Sequence, residues 1–302
     1  MKTKVSTHQN HNFFLSSTFG YYCKKLVRHL PLINIWPHRR FAPMANQLNR
    51  KLFNPSLYKR VLDVWFEGLP PDARSATDTV IRRWFTGTPK EKKAFDVACS
   101  KEFSHVLEEV GPDRFPVSSS DSQSLAPNSI TALLLEELDT ATNDLETTNR
   151  ALSLILLFDQ IPRNLYRTNE TLPLVYNHYD NIALVLARHI LKMQPRPDLH
   201  PSIRHSPVWR LWLYMPFMHS ENLSDHLVND EICDDLRTEM ADLGYEDGLN
   251  YLGLARNSAK QHREILEKFG RYPHRNGCLG RTNTKEEDKW LNDGGETFGV
   301  KK

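Results

Sequence analysis

From about residue 56 onward, apolar residues recur at three- and four-residue intervals, and no segment alternates apolar and polar in the manner of a strand. Leu57, Val61, Leu62 and Trp65 form the first such stripe, closed by Gly68 and Pro70-Pro71. The spacing predicts a second helix over 78–85, stopped by Gly87, and a third that starts at Pro89. The third carries Ala94, Phe95, Ala98, Phe103, Val106 and Leu107 inward and ends at Gly111-Pro112. A Ser run between prolines at 112–127 predicts a surface loop. One long helical stretch is predicted from Ser129 to Phe158. Its last turns, Leu154-Ile155-Leu156-Leu157-Phe158, are apolar on every side, which places them at the domain centre. Ile182, Leu186, Ile190 and Met193 mark another helix, followed by a Pro-rich break at 195–207. Trp209, Trp212 and Leu213 lie on a helix expected to stop near Pro216, and a long helix is expected over 222–243. Leu252, Ala255, Ala259, His262, Leu266 and Phe269 then make an amphipathic seam, and a short helix over 284–292 opens with Thr284 as N-cap. The chain therefore predicts an all-α fold of helix pairs, a single compact domain over 56–300.

Composition changes this picture at one end. Residues 1–60 hold eleven Lys or Arg and no acid, while the remaining 242 hold 28 basic and 37 acidic side chains. The net charge of +2 thus conceals an acidic body, which argues against nucleic-acid binding, since that needs a broad basic face. Residues 1–55 read either as a disordered basic arm or as a mitochondrial transit peptide. Arg39-Arg40-Phe41-Ala42 resembles a matrix-protease cleavage site, and Met44 offers a downstream start. The expected location is accordingly mitochondrial or cytoplasmic. Apolar runs such as Leu154–Phe158 are far too short to span a bilayer, so no membrane partner is expected. Cys23, Cys99, Cys233 and Cys278 form no CxxC pair or disulfide framework, which fits a reducing compartment.

The chemistry concentrates in two segments. Phe269-Gly270-Arg271-Tyr272-Pro273-His274-Arg275-Asn276, continuing to Gly280-Arg281, interleaves arginines with rings and a proline. A solvated basic run would be Lys-rich, so these guanidinium groups are expected to be held in fixed directions. Asp159-Gln160-Ile161-Pro162-Arg163-Asn164 repeats the Pro, Arg and Asn, and Pro162 is expected to send Arg163 and Asn164 out on a turn. Asp159 is either a carboxylate partner that orients an arginine in a site or half of a buried pair that only fixes the turn. His262 is either a core histidine with one hydrogen bond or a site residue. Ser220 is expected to cap the helix that follows it, with Glu221 on its dipole, or else His219 and Glu221 face the same space as His274.

His219, Glu221, His262 and His274 could bind a metal chemically, but they lack tight ligand spacing and lie among arginines, so no metal is expected. Nucleotide-loop and serine-hydrolase motifs are absent, and no cofactor is expected. Arg163, Arg271, Arg275 and Arg281 are better explained by an anion, a carboxylate or phosphate that a planar guanidinium grips in a fork.

These residues resemble the domain of unknown function 924 family. The shared motifs are Asp159-Gln160 with Pro162-Arg163-Asn164, then Met218-His219-Ser220-Glu221, then His262 with the Phe269–Asn276 run, and Leu279-Gly280-Arg281. The resemblance covers about 60–298, from Val61-Leu62-Asp63-Val64-Trp65-Phe66 to Gly294-Gly295-Glu296-Thr297-Phe298. It implies a helical fold similar to tetratricopeptide-repeat (TPR) proteins, in bacteria and fungi, and no established activity. The basic arm, the 112–127 segment and a missing Trp before the Leu-rich helix depart from the family.

The expected function is binding of a small anionic metabolite. Arg163, Asn164, Arg271, Arg275, Asn276, Arg281, Glu221 and His262 would line the pocket, and His274, His219 and Asp159 would handle protons if chemistry follows without a metal. The alternative is a non-catalytic helical scaffold that binds a peptide or protein partner.

Overall fold

The computed structural model describes residues 47–116 and 129–298. Residues 1–46 of the arm and 117–128 of the Ser/Pro segment lie outside these. Among the described residues every regular element is helical. Helix α1 spans Pro55–Phe66, α2 Asp78–Ile81, α3 Pro89–Glu109, α4 Ile130–Asp139 and α5 Asp144–Ile155. Short helices α6 (Ile161–Leu165) and α7 (Leu172–Leu174) lead to α8, Asp180–Ile190. Then come α9 (Pro207–Arg210), α10 (Met215–His219), α11 (Leu223–Asp242), α12 (Glu246–Phe269) and α13 (Lys285–Asn292).

Side-chain caps explain most of the starts. Asn54 accepts from the Ser56 and Leu57 N–H groups, with Pro55 in the first turn of α1. Thr88 and Glu91 form a capping box at α3, and Thr284 and Glu287 form another at α13. Gly270 takes a left-handed conformation, φ 68°, and stops α12 where the arginine turn begins.

Helix α5 runs through the centre. Ala151, Leu154, Ile155, Leu156, Leu157 and Phe158 have essentially no exposed surface. It packs on α1, α4 and α8, while α3 packs on α6, and α11 and α12 form a long hairpin. The packed chain starts upstream of residue 56, because Leu48 and Phe53 are already buried in the main cluster.

Three local expectations need correction. The stretch from Ser129 to Phe158 is two helices, because Asn143 caps a new start at Asp144. Pro162 does not send the chain out on a turn. The α5 helix widens over Leu156–Gln160, where the Ile161 N–H reaches back five residues to the Leu156 carbonyl. Pro162 then sits in the first turn of α6, where its missing N–H needs no partner, so Arg163 and Asn164 are helical. Pro216 acts in the same way: the chain tightens over Leu211–Tyr214, and α10 begins around the proline instead of ending at it.

Candidate functional site

The widened turn after α5 places a carboxylate in the middle of the core. Asp159 is fully buried. Its Oδ1 lies 2.7 Å from His219 Nδ1, at the end of α10, and the Gln160 amide donates to Oδ2. Burial opposes the Asp159 charge, but His219 and Arg163 more than offset it and hold the carboxyl below its ordinary range. An ionised carboxylate only accepts, so His219 Nδ1 carries a proton.

Arg163 is where the buried-pair expectation changes. Its NH1 donates to the Asp159 backbone carbonyl at 2.9 Å, while its guanidinium grips Asp180 at the start of α8, at 2.5 and 3.0 Å. The Asp159 carboxylate therefore orients a histidine, not an arginine. Asn164 donates to the Gln160 carbonyl and accepts from Arg167, so it fixes the short helix.

On the opposite side Arg281 grips Glu221 at 2.7 and 2.9 Å, and Glu221 also accepts from the Tyr272 N–H at 2.9 Å. Burial raises the Glu221 proton affinity. Arg281, the Tyr272 N–H and Arg275 outweigh it, and the carboxyl stays ionised below its usual range. Ser220 does not cap the following helix. Asn222 does, while Ser220 donates to Asp225 at 2.6 Å. Arg271 turns away toward α13, where Glu287 takes it at 2.7 and 2.8 Å and the Thr282 carbonyl accepts a third bond. Asn276 is buried and donates to Asn283, holding the loop that follows.

Arg275 differs from its neighbours. It is 7% exposed, yet among the described residues no carboxylate forms an ion pair with it; its buried Nε, like that of Arg281, has no hydrogen-bond partner. Its guanidinium carbon lies 4.4 Å from the ring centres of both Tyr176 and Tyr272. Beside it, burial first and the Arg275 charge second push His274 down to about 3, and His274 Nδ1 is buried without a partner. His262 donates from Nδ1 to the Ser258 carbonyl at 2.8 Å, and burial holds it neutral, also at about 3. Its ring lies 6.4 Å from His219 and 5.9 Å from Tyr272, and Phe298 stacks on it at 3.6 Å. His226, buried beneath, bonds the Ser220 carbonyl.

The structure thus gathers Asp159, Arg163, His219, Glu221, His262, His274, Arg275 and Arg281 from the α5–α6 joint, α10, α12 and the arginine turn. Arg271, Asn164 and Asn276 serve the surrounding framework. Sequence reasoning missed Asp180, Tyr176 and Phe298. Asp180 stands two residues before Ile182, the first apolar position of a predicted helix, and Phe298 closes the Gly294–Phe298 motif, but the role of Tyr176 depends on tertiary contact alone. Among the described residues no group of three or more His, Cys, Asp or Glu is arranged to hold a metal ion, and no helix is long and apolar enough to cross a membrane. A cavity of about 560 Å³ opens elsewhere, between the end of α4, the start of α5 and residues 189–201, and contains none of these side chains.

Comparison with known proteins agrees with the motifs. No curated protein matches the chain. A solved structure of a protein of unknown function from Agrobacterium tumefaciens is 26% identical and covers 79% of this chain and 98% of that one, with a TM-score of 0.49. The model of the family described as bacterial protein of unknown function (DUF924) matches residues 61–295, so this chain belongs to that family.

Proposed function

We propose that the protein binds a small anionic metabolite at Arg275 and moves a proton with the Asp159–His219 pair, as a metal-independent enzyme. The observation that carries this reading is Arg275. Desolvating a cation without a paired counter-charge is costly, and neighbouring arginines each grip a carboxylate whereas Arg275 interacts with Glu221 only through space. A ligand anion would supply the missing charge. His219 has the arrangement of a general base, with one ring nitrogen held by a buried carboxylate. His274 and His262, kept neutral by burial, would supply lone pairs or polar contacts without adding charge.

The test is a thermal-shift screen of carboxylates, phosphates and sulfates. A ligand at 100 times its dissociation constant stabilises by about 2.7 kcal/mol. A hit whose effect disappears in Arg275→Met supports the reading, and a library without a hit rejects it. The second reading, a TPR-like scaffold for a peptide or protein partner, is favoured only by Leu223, Leu227 and Val228, which stand exposed on α11 of the long hairpin.

A further inference from the structure

We infer that the Arg275 site takes a monocarboxylate with a flat apolar body and disfavours phosphate groups; this rests on the anion-binding reading above. Charge favours a singly charged head group. Arg163 and Arg281 are each held by two hydrogen bonds to one carboxylate, Asp180 and Glu221. Neither has a fork left for a ligand. Arg275 is the guanidinium that remains, and it offers one positive charge. A phosphate monoester brings a charge of about −1.5 to −2 near neutral pH. Its second charge would face Glu221 and Asp180, with no unpaired cation to meet it.

Shape favours the same head group. With tyrosine rings against the guanidinium at 4.4 Å, its N–H edge is the surface left for an acceptor. A carboxylate is planar and meets that edge with two parallel bonds in the plane of the fork. A phosphoryl group is tetrahedral and would push oxygens out of that plane toward the negative faces of the rings. The wall beside the anion point favours a flat body. Tyr272, His274, His262 and Phe298 form a run of rings 3.6–6.3 Å apart, and Phe298 lies nearly parallel to His262, 14° between planes. Tyr272 and His262 are buried and Phe298 covers His262, so a flat apolar body would lie against the half-buried rings of His274 and Phe298.

The experiment uses the full chain and matched pairs with one body and two head groups: benzoate, phenylacetate and cinnamate against phenyl phosphate and benzyl phosphate, with acetate and inorganic phosphate as controls. Calorimetric titration should show at least one aromatic carboxylate binding ten-fold or more tighter than the phosphates and than acetate. Arg275→Met should lower that affinity ten-fold or more. Arg275→Lys, which keeps the charge and loses the planar fork, should do the same if the Met variant fails to fold. Tighter binding of a phosphate ester, lost on changing Arg275, overturns this inference and leaves the anion-binding reading standing. Carboxylate binding that survives both substitutions overturns the placement at Arg275. Absence of binding by either head group rejects this inference, and the broader reading then rests on the anion screen.

Discussion

Arg275→Met is the substitution whose outcome differs most between a ligand-binding residue and a structural one. In the folded protein Arg275 contributes two contacts with tyrosine rings, each worth about 0.5–2 kcal/mol. Against these stands a buried guanidinium with no carboxylate and an Nε without a partner, a desolvation cost of comparable size. Methionine keeps most of the length, packs between the rings and removes the charge. The two effects nearly cancel, and the stability should change by no more than about 1–2 kcal/mol. Arg163→Met is the matched control. It leaves Asp180, whose side chain is 11% exposed, without its cation, and breaking one side of such a pair costs about 3–5 kcal/mol. Urea denaturation of the two variants, compared at equal slope, measures the difference. An Arg275→Met protein as unstable as Arg163→Met would mean that Arg275 supports the fold, and the argument for a vacant counter-charge would fail.

Acid should weaken the fold well above the carboxylate range. His262 and His274 have folded values of about 3 against an ordinary value near 6.5, so the unfolded chain binds more protons between these limits. Stability should be full above about pH 6.5 and fall as pH drops, by up to about 1.4 kcal/mol per pH unit for each histidine. Urea midpoints from pH 7.5 to 4.5 measure this slope, which His262→Gln and His274→Gln should each flatten; equal slopes in all three proteins would refute it. Asp159 has a depressed value, so its contribution is present above about pH 4 and is lost only below it. A chain beginning at Met44 should melt as the full chain does, whereas one beginning at Asn54 loses Leu48 and Phe53 and should be weaker by about 3–6 kcal/mol. Equal melting of all three chains would show that those two side chains contribute little. Elemental analysis should find no stoichiometric zinc, manganese or iron; one metal per chain, lost in His219→Ala or His274→Ala, would overturn the metal-independent reading.

Periodicity made most helices legible, because apolar spacing and capping residues act within a few residues of one another. Thr284 with Glu287, and Gly270 after Phe269, are local signals of that kind. The misread points were the Asn143 start, the Ser220 cap and, above all, the two proline joints. A proline signals a helix boundary by its missing N–H, but the chain can re-form the helix around it after a change of turn width, and that depends on what packs outside. The site was legible to a similar degree. Rings between arginines marked the turn at 269–281, yet which carboxylate takes which arginine depends on folding distance. Asp180 lies seventeen positions from Arg163, and Glu221 lies sixty from Arg281. The distinction between paired Arg163 and unpaired Arg275 therefore emerges only in three dimensions.

The two proline joints also explain how a charged pair comes to sit in the apolar centre. An unbroken α5 would direct successive side chains at 100° steps, and its all-apolar end shows that every direction there faces core. The wide turn over Leu156–Gln160 resets that rotation just where Asp159 and Gln160 replace the aliphatic residues. The tight turn over Leu211–Tyr214 shifts the approach of α10, whose final residue His219 meets Asp159. Irregular turns of this kind are less favourable than continued α-helix, and apolar side chains at 159 and 219 would suit a purely structural core better. A helix joint that seats one carboxylate against one histidine in the apolar centre therefore suits the proton role proposed for the Asp159–His219 pair.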